Sequence, residues 1–263
     1  MIRITEMTSK LIVAKDNRLI QASYSLSISE QRVILLCIAK LNSRERIPED
    51  YSFTVSVDDL MREAGVSREN AKRDLANAVN NLYKRTIKLD PNEPGTELRW
   101  LFQKAFLNSG NEVTLYFSPP LLPFISELRD RFTTYRLKDV TSFKCQYSIR
   151  LYELIMQRKD KSELKVDVVW LRDILQLGDK YPRVIDLKKY VIFPAIADIN
   201  ASNLQITFDQ VKNGKEITHF IFKYLIGGEN DTKKITDTYI QENARPGESW
   251  EQARFRLSGK PTK

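Results

Sequence analysis

The side chains in this chain best suited to chemistry are cations, and they fall into two groups with matching surroundings. Arg68, Asn70, Lys72 and Arg73 open an amphipathic run that follows a turn at Gly65. Lys180, Arg183, Lys188 and Lys189 occupy the same place after Gly178, and Lys212 and Lys215 flank an Asn213-Gly214 hairpin tip. An Arg at the start of such a helix can pair in bidentate fashion with guanine in the major groove, whereas Lys more often holds phosphate. Charges on a helix ordinarily form a solvated face. What singles these out is their position at the start of the second helix of a helix–turn–helix, the place where that motif meets DNA. Lys84 and Arg85 lack that context and are read as ending a helix rather than as binding phosphate.

Other chemistries lack their residues. The chain has a single histidine, His219, beside Phe220 and Phe222, and is read as having no metal-binding histidine pair. No G-x-x-x-x-G-K-[ST] phosphate loop, G-x-S-x-G or H-E-x-x-H occurs, so an ATPase motor, a serine hydrolase elbow and a zinc protease are set aside. None of the eleven tyrosines stands out as a nucleophile. The expectation is a binding protein with no catalytic residue, metal or cofactor.

Composition agrees. The 263 residues are 42% hydrophobic and 10% aromatic, enough to build real cores. A net charge of +8 favours a polyanionic partner. Two cysteines, Cys37 and Cys145, lie in apolar helical runs and are expected as buried thiols rather than a disulfide framework. The first residues carry no apolar signal core and no 18-residue apolar stretch occurs, so a cytoplasmic protein with no membrane partner is expected.

The elements that must position the cations form one pattern used twice. Ser27 and Glu30 make a capping box for a helix with Val33, Ile34, Cys37, Ile38 and Leu41 on one stripe. Tyr51–Val57 reads as a strand, followed by a short helix burying Leu60 and Ala64 and ended by Gly65 at positive φ. Ser67 caps the next helix, whose buried face is Ala71, Leu75, Ala78, Val79 and Leu82. After an Asp90–Gly95 loop, a hairpin carries Trp100 and Phe102, then Val113, Leu115 and Phe117. The second copy begins with a helix over Ser142–Arg158 that has Ile149, Tyr152, Ile155 and Met156 on one side, then a strand over Lys165–Val169. A helix from Arg183 to Ile199 should kink near Phe193, before Pro194. A closing hairpin turns at Asn213-Gly214, a type I′ signal.

Helix–turn–helix plus β-hairpin is a winged helix. The fold class is therefore α+β: two tandem winged-helix domains in a pseudo-two-fold relation, residues 1–137 and 138–228, followed by a polar tail, 229–263, with short helices near Ile235–Asn243 and Trp250–Leu257. The second domain has the denser cations and is expected to do most base reading. The first carries Glu69 and Asp74 among its cations and is expected to add phosphate contacts or to dimerise. Its dimer surface is placed on the wing, at Trp100, Leu101, Phe102, Leu107, Val113 and Leu115, with Leu101 and Leu107 exposed.

Several stretches carry a family resemblance. Ser25-Leu-Ser-Ile-Ser-Glu-Gln-Arg-Val-Ile-Leu35 resembles the opening helix of the iteron-binding plasmid replication initiators, and Ser148-Ile-Arg-Leu-Tyr-Glu-Leu154 resembles the start of their second winged helix. Leu187 to Asn200, with its Pro194-Ala195 step, is similar to their long recognition helix, and Ala244-Arg-Pro-Gly-Glu-Ser-Trp250 has the family's flavour. The resemblance covers residues 10–226.

It implies monomers that bind directly repeated iterons in double-stranded DNA, help open adjacent AT-rich DNA, and recruit a host replication initiator and helicase. It also implies dimers, joined through the first winged helix, that bind an operator inverted repeat and repress their own promoter. Asp186 departs from the expected cationic cluster: it either accepts from a cytosine amine or pairs with Lys188 or Lys189, the latter being expected. A two-domain transcriptional regulator without a replication role is the runner-up. A DNA-nicking enzyme and a protein scaffold are the readings from other classes.

Overall fold

A computed structural model of the chain describes residues 11–41, 52–90, 96–202 and 204–226. The expected Asp90–Gly95 loop lies largely outside the described residues, and the expected tail helices lie wholly outside them.

The first unit runs helix, strand, helix, helix, then hairpin. Helix α2 (Ile28–Lys40) starts at the Ser27/Glu30 capping box. Strand β2 (Ser52–Ser56) stops one residue before the expected end at Val57, because Ser56 and Asp59 form a second capping box that begins α3 (Val57–Ala64). Helix α4 (Arg68–Leu82) buries the five residues that its periodicity marks. Strands β5 (Leu101–Leu107) and β6 (Glu112–Phe117) form the hairpin, and the sheet order is β2-β6-β5.

The second unit repeats this with α5 (Gln146–Met156), β8 (Glu163–Asp167), α6 (Val168–Ile174), a long segmented helix, β9 (Leu204–Asn213) and β10 (Glu216–Ile226). Its sheet order, β8-β10-β9, again puts the last strand in the centre. Both units are winged helices. Strand β8 ends at Asp167 rather than Val169, because the Asp167 carboxylate accepts from Trp170 N at 2.9 Å and starts α6.

Packing extends two expectations. Helix α5 has no exposed side, being buried from Tyr147 through Met156. It is the hub of the molecule, in contact with α1 (Asn17–Gln21), α2, α8 (Phe193–Asn200), β7 (Phe132–Arg136) and β8. Its charges are met in part from the N-terminal segment, where strand β1 (Ile12–Asp16) pairs antiparallel with β7. Lys15 Nζ lies 2.7 Å from Glu153 Oε1, and Arg150 donates to Ala22 O at 2.7 Å beneath the Tyr24 ring.

The second concerns Pro194, where the expected irregularity near Phe193 takes the form of a π segment. Between α7 (Val184–Leu187) and α8 the backbone becomes a π-helix over Lys188–Ile192, with Phe193 N–H donating to Lys188 O. Widening the turn accommodates the missing proline N–H, and helical backbone resumes at Phe193.

Candidate nucleic-acid interface

In the first motif Gly65 caps α3 in the left-handed region, at φ 63°. Ser67 then accepts from Asn70 N at 3.4 Å and starts α4. With its apolar stripe turned inward, the helix leaves Arg68, Asn70, Lys72 and Arg73 in solvent at its N-terminal end. Arg68 pairs with Asp58 at 2.6 Å, and Arg73 lies 3.6 Å from Asp74. Exposed pairs of this kind are worth at most about 1 kcal/mol, so a phosphate can take either Arg over. A methyl group on Gly110, at the tip of the β5–β6 wing, would lie 3.7 Å from Lys72 Cε. This places helix start and wing tip side by side.

The second motif is held by a residue that sequence reasoning missed. Arg172, on α6, donates Nη1 to Tyr181 O at 2.7 Å and Nη2 to both Gly178 O and Lys180 O at 2.8 Å. One guanidinium thus grips three carbonyls of the turn. That grip holds a costly backbone, since Gln176, Gly178 and Tyr181 all have positive φ, and a Tyr there is strained. Tyr181 in turn stacks on Tyr190, with ring centroids 5.5 Å apart at 25°. No local signal marks Arg172, because its partners lie six to nine residues ahead.

Lys180, Arg183 and Lys189 stand in solvent at this turn and helix start, as their positions imply. Lys188 is half-buried and donates to Gln210 of β9 at 3.1 Å, tying helix to wing. Asp186 pairs with neither lysine. Its carboxylate receives Arg183 Nε at 2.6 Å and Nη2 at 3.0 Å, because three residues of helix bring the two onto one face. The hydrogen bond from Arg183 holds the Asp186 carboxyl below its ordinary value.

Lys212 and Lys215 are exposed at the wing tip. The tip differs from the type I′ expectation. Asn213 is the last residue of β9, the loop is Gly214-Lys215, and positive φ falls on Gly214 alone, as a type II′ turn requires.

The wing of the first unit corrects the expected dimer surface. Trp100, Leu101, Val113 and Leu115 are 1% exposed or less and belong to the core, so Leu101 offers no surface. The β5–β6 register shifts between Leu101 and Gln103. That irregularity breaks the alternation, burying Trp100 and Leu101 together and then exposing Phe102 and Gln103 together. Phe102 and Leu107 are exposed, and Phe106, which sequence reasoning passed over, joins them.

The remaining candidates settle as packing. Arg85 pairs with buried Glu30 at 2.9 Å. The His219 ring lies 3.0 Å from the Thr218 hydroxyl. Cys37 is buried, and burial pushes its thiol up to about 12, whereas Cys145 is only half-buried. Among the described residues no three His, Cys, Asp or Glu side chains cluster as a metal site, and no helix is long and apolar enough to cross a membrane.

Comparison with known proteins extends the same reading. The family model described as Initiator Replication protein, WH1, matches residues 12–156, and that described as Initiator Rep protein, WH2, matches residues 167–224. The chain is 30% identical over 233 residues to a replication initiation protein of Escherichia coli, a match spanning 85% of this chain and 72% of that one. It is 28% identical over 207 residues to an uncharacterized 27.6 kDa protein of Escherichia coli, spanning 74% and 87%. Among solved structures it is similar to the Pi initiator protein in complex with iteron DNA. The TM-score is 0.71 at 22% identity, covering 84% of this chain and 99% of that one.

Proposed function

Because the chain belongs to the initiator replication protein family, carrying its two winged-helix units in tandem, we propose that it starts plasmid replication by binding directly repeated iteron DNA as a monomer. The observation that carries this reading is the pair of exposed cationic helix starts, each beside its own wing. Arg183 and Lys189 read base edges or hold the phosphates beside them. Lys180, Lys188, Lys212 and Lys215 hold backbone, and Arg68, Asn70, Lys72 and Arg73 add a second point of attachment. Residues 1–137 and 138–228 act as the two reading units. In support, a short helical turn at Leu137–Asp139 separates β7 from α5.

The finer parts of the reading follow from it. A second copy of the chain pairs with the first winged helix through the exposed wing residues Phe102, Phe106 and Leu107. The dimer binds an inverted repeat at the operator and represses its own promoter. On origin DNA the monomer recruits the host initiator and helicase.

Footprinting and gel shifts on the DNA flanking the gene test the binding, and transformation with that DNA, with and without the gene, tests replication. Protection of direct repeats together with gene-dependent maintenance is the expected result. Binding without any effect on maintenance would leave a transcriptional regulator instead.

A further inference from the structure

Three large apolar side chains stand in solvent on the helix that follows the second turn. Ile185 is 64% exposed, and Tyr190 and Phe193 are 49% exposed each. The same helix already sends Leu187, Val191, Ile192, Ala195 and Ile199 into the core, while Tyr190 stacks on Tyr181, Phe193 meets the Phe208 ring edge-on at 5.6 Å, and all three outward side chains keep much of their surface in solvent. Apolar groups gathered on one element and left wet mark a contact surface more often than scattered ones do.

The π segment lines them up. On a regular α-helix, positions 185 and 193 would differ in direction by about 80°. A π turn inserts about one residue, which brings them back to within about 20° of each other. Ile185 and Phe193 therefore share a face, with Lys189 between them in solvent. At one end Arg183 spends Nε and one Nη on Asp186, so less of its fork remains for guanine. Beside Lys189 and what remains of the Arg183 fork, the surface left for reading includes the hydrocarbon of these three side chains. A major-groove floor offers hydrocarbon in one form, the thymine 5-methyl group, between walls of phosphate that suit the neighbouring cations.

We propose that Ile185, backed by Tyr190 and Phe193, reads thymine 5-methyl groups in the major groove, so that this helix selects T-containing steps by apolar contact. This rests on the DNA-binding reading above. It adds a specificity determinant that cation positions do not reveal.

The test uses the full chain and a duplex that it selects from a randomised library. Each thymine of that duplex is replaced singly by deoxyuridine, which removes only the methyl group, and affinity is measured by fluorescence anisotropy. At one or more positions the wild-type protein should lose about fourfold, the scale of burying one methyl group. Ile185→Ala should bind the thymine and uracil forms of that position equally. Circular dichroism should show it folded, since the side chain is mostly outside. Phe193→Ala provides an independent second variant.

If the wild type tolerates every uracil, or if both variants keep the full thymine preference, the proposal is overturned while the DNA-binding reading stands. Unchanged DNA affinity in both variants, with loss of a host-protein contact, would also overturn it and make the stripe a protein-docking face. If no duplex is selected, both readings fall.

Discussion

Arg183 holds Asp186 through two hydrogen bonds, Nε to Oδ2 at 2.6 Å and Nη2 to Oδ1 at 3.0 Å, at the start of the long helix of the second motif. On the proposed DNA-binding reading, the carboxylate aims the guanidinium and offsets its charge toward phosphate. Arg183→Ala is expected to weaken binding to the selected duplex by about tenfold to a hundredfold and to random DNA much less. Asp186→Ala should do the reverse of steering: affinity for random DNA rises and discrimination falls. Lys215→Ala should weaken both DNAs alike, since a phosphate contact carries no sequence information. Equal losses on both DNAs for Arg183→Ala would reduce it to a backbone contact.

Binding should depend steeply on salt. With about six to eight cations on phosphates, log affinity should fall against log salt with a slope of about −5 to −7. A titration from low to physiological salt by anisotropy measures it, and a flat line would remove the electrostatic half of the reading.

The wing of the first unit separates surface from core. Phe102→Asp and Leu107→Asp should leave the fold intact, shift the protein toward monomer in light scattering, and abolish inverted-repeat binding while sparing direct repeats. Leu101→Asp, one residue from Phe102, should instead destabilise by on the order of 4 kcal/mol, because it buries an unpaired carboxylate. Exposed-site variants that remain dimeric would place the dimer surface elsewhere.

Lys15 and Glu153 are both nearly inaccessible, and Tyr135 also donates to Glu153 Oε1, at 2.5 Å. Burial and the Glu153 charge push the Tyr135 phenol well above its ordinary value. Lys15→Ala leaves the carboxylate with the Tyr135 hydroxyl and with Arg150 Nη1 at 3.9 Å but without its close cation, and should cost about 3 kcal/mol in denaturant melts. The double variant Lys15→Met, Glu153→Gln should recover much of that loss, and a cycle that adds without coupling would contradict the pairing.

Asp59 sets a pH dependence. Burial alone would raise its carboxyl, but hydrogen bonds from Lys40 and Ser56 outweigh burial and hold it below the ordinary range. A folded value below the unfolded one of about 3.9 means stabilisation that is complete above that pH and is lost as pH falls through the folded value. Asp59→Asn should cost about 1 kcal/mol at pH 7. The gap from wild type should narrow as urea melts are taken to pH values below about 3.9, and a gap independent of pH would exclude the linkage.

What the sequence determined by itself was local. Ser27 with Glu30, Gly65, Ser67 and the stripe from Ala71 to Leu82 act over three or four residues, so capping chemistry and a 3.6-residue period suffice to read the first helix–turn–helix and its exposed cations. The tertiary structure alone decided whatever depends on partners far along the chain or on a break in period. It buried Leu101 through a register shift and enclosed α5 on every side with elements from both ends of the chain. It brought Lys15 to Glu153 across 138 residues and used Arg172 to hold Tyr181 at positive φ. It also set a π turn just before the proline expected to kink the helix, bringing Ile185 and Phe193 onto one face. Periodicity names the face a residue prefers, but only the assembled core determines which faces are covered and which charges find partners.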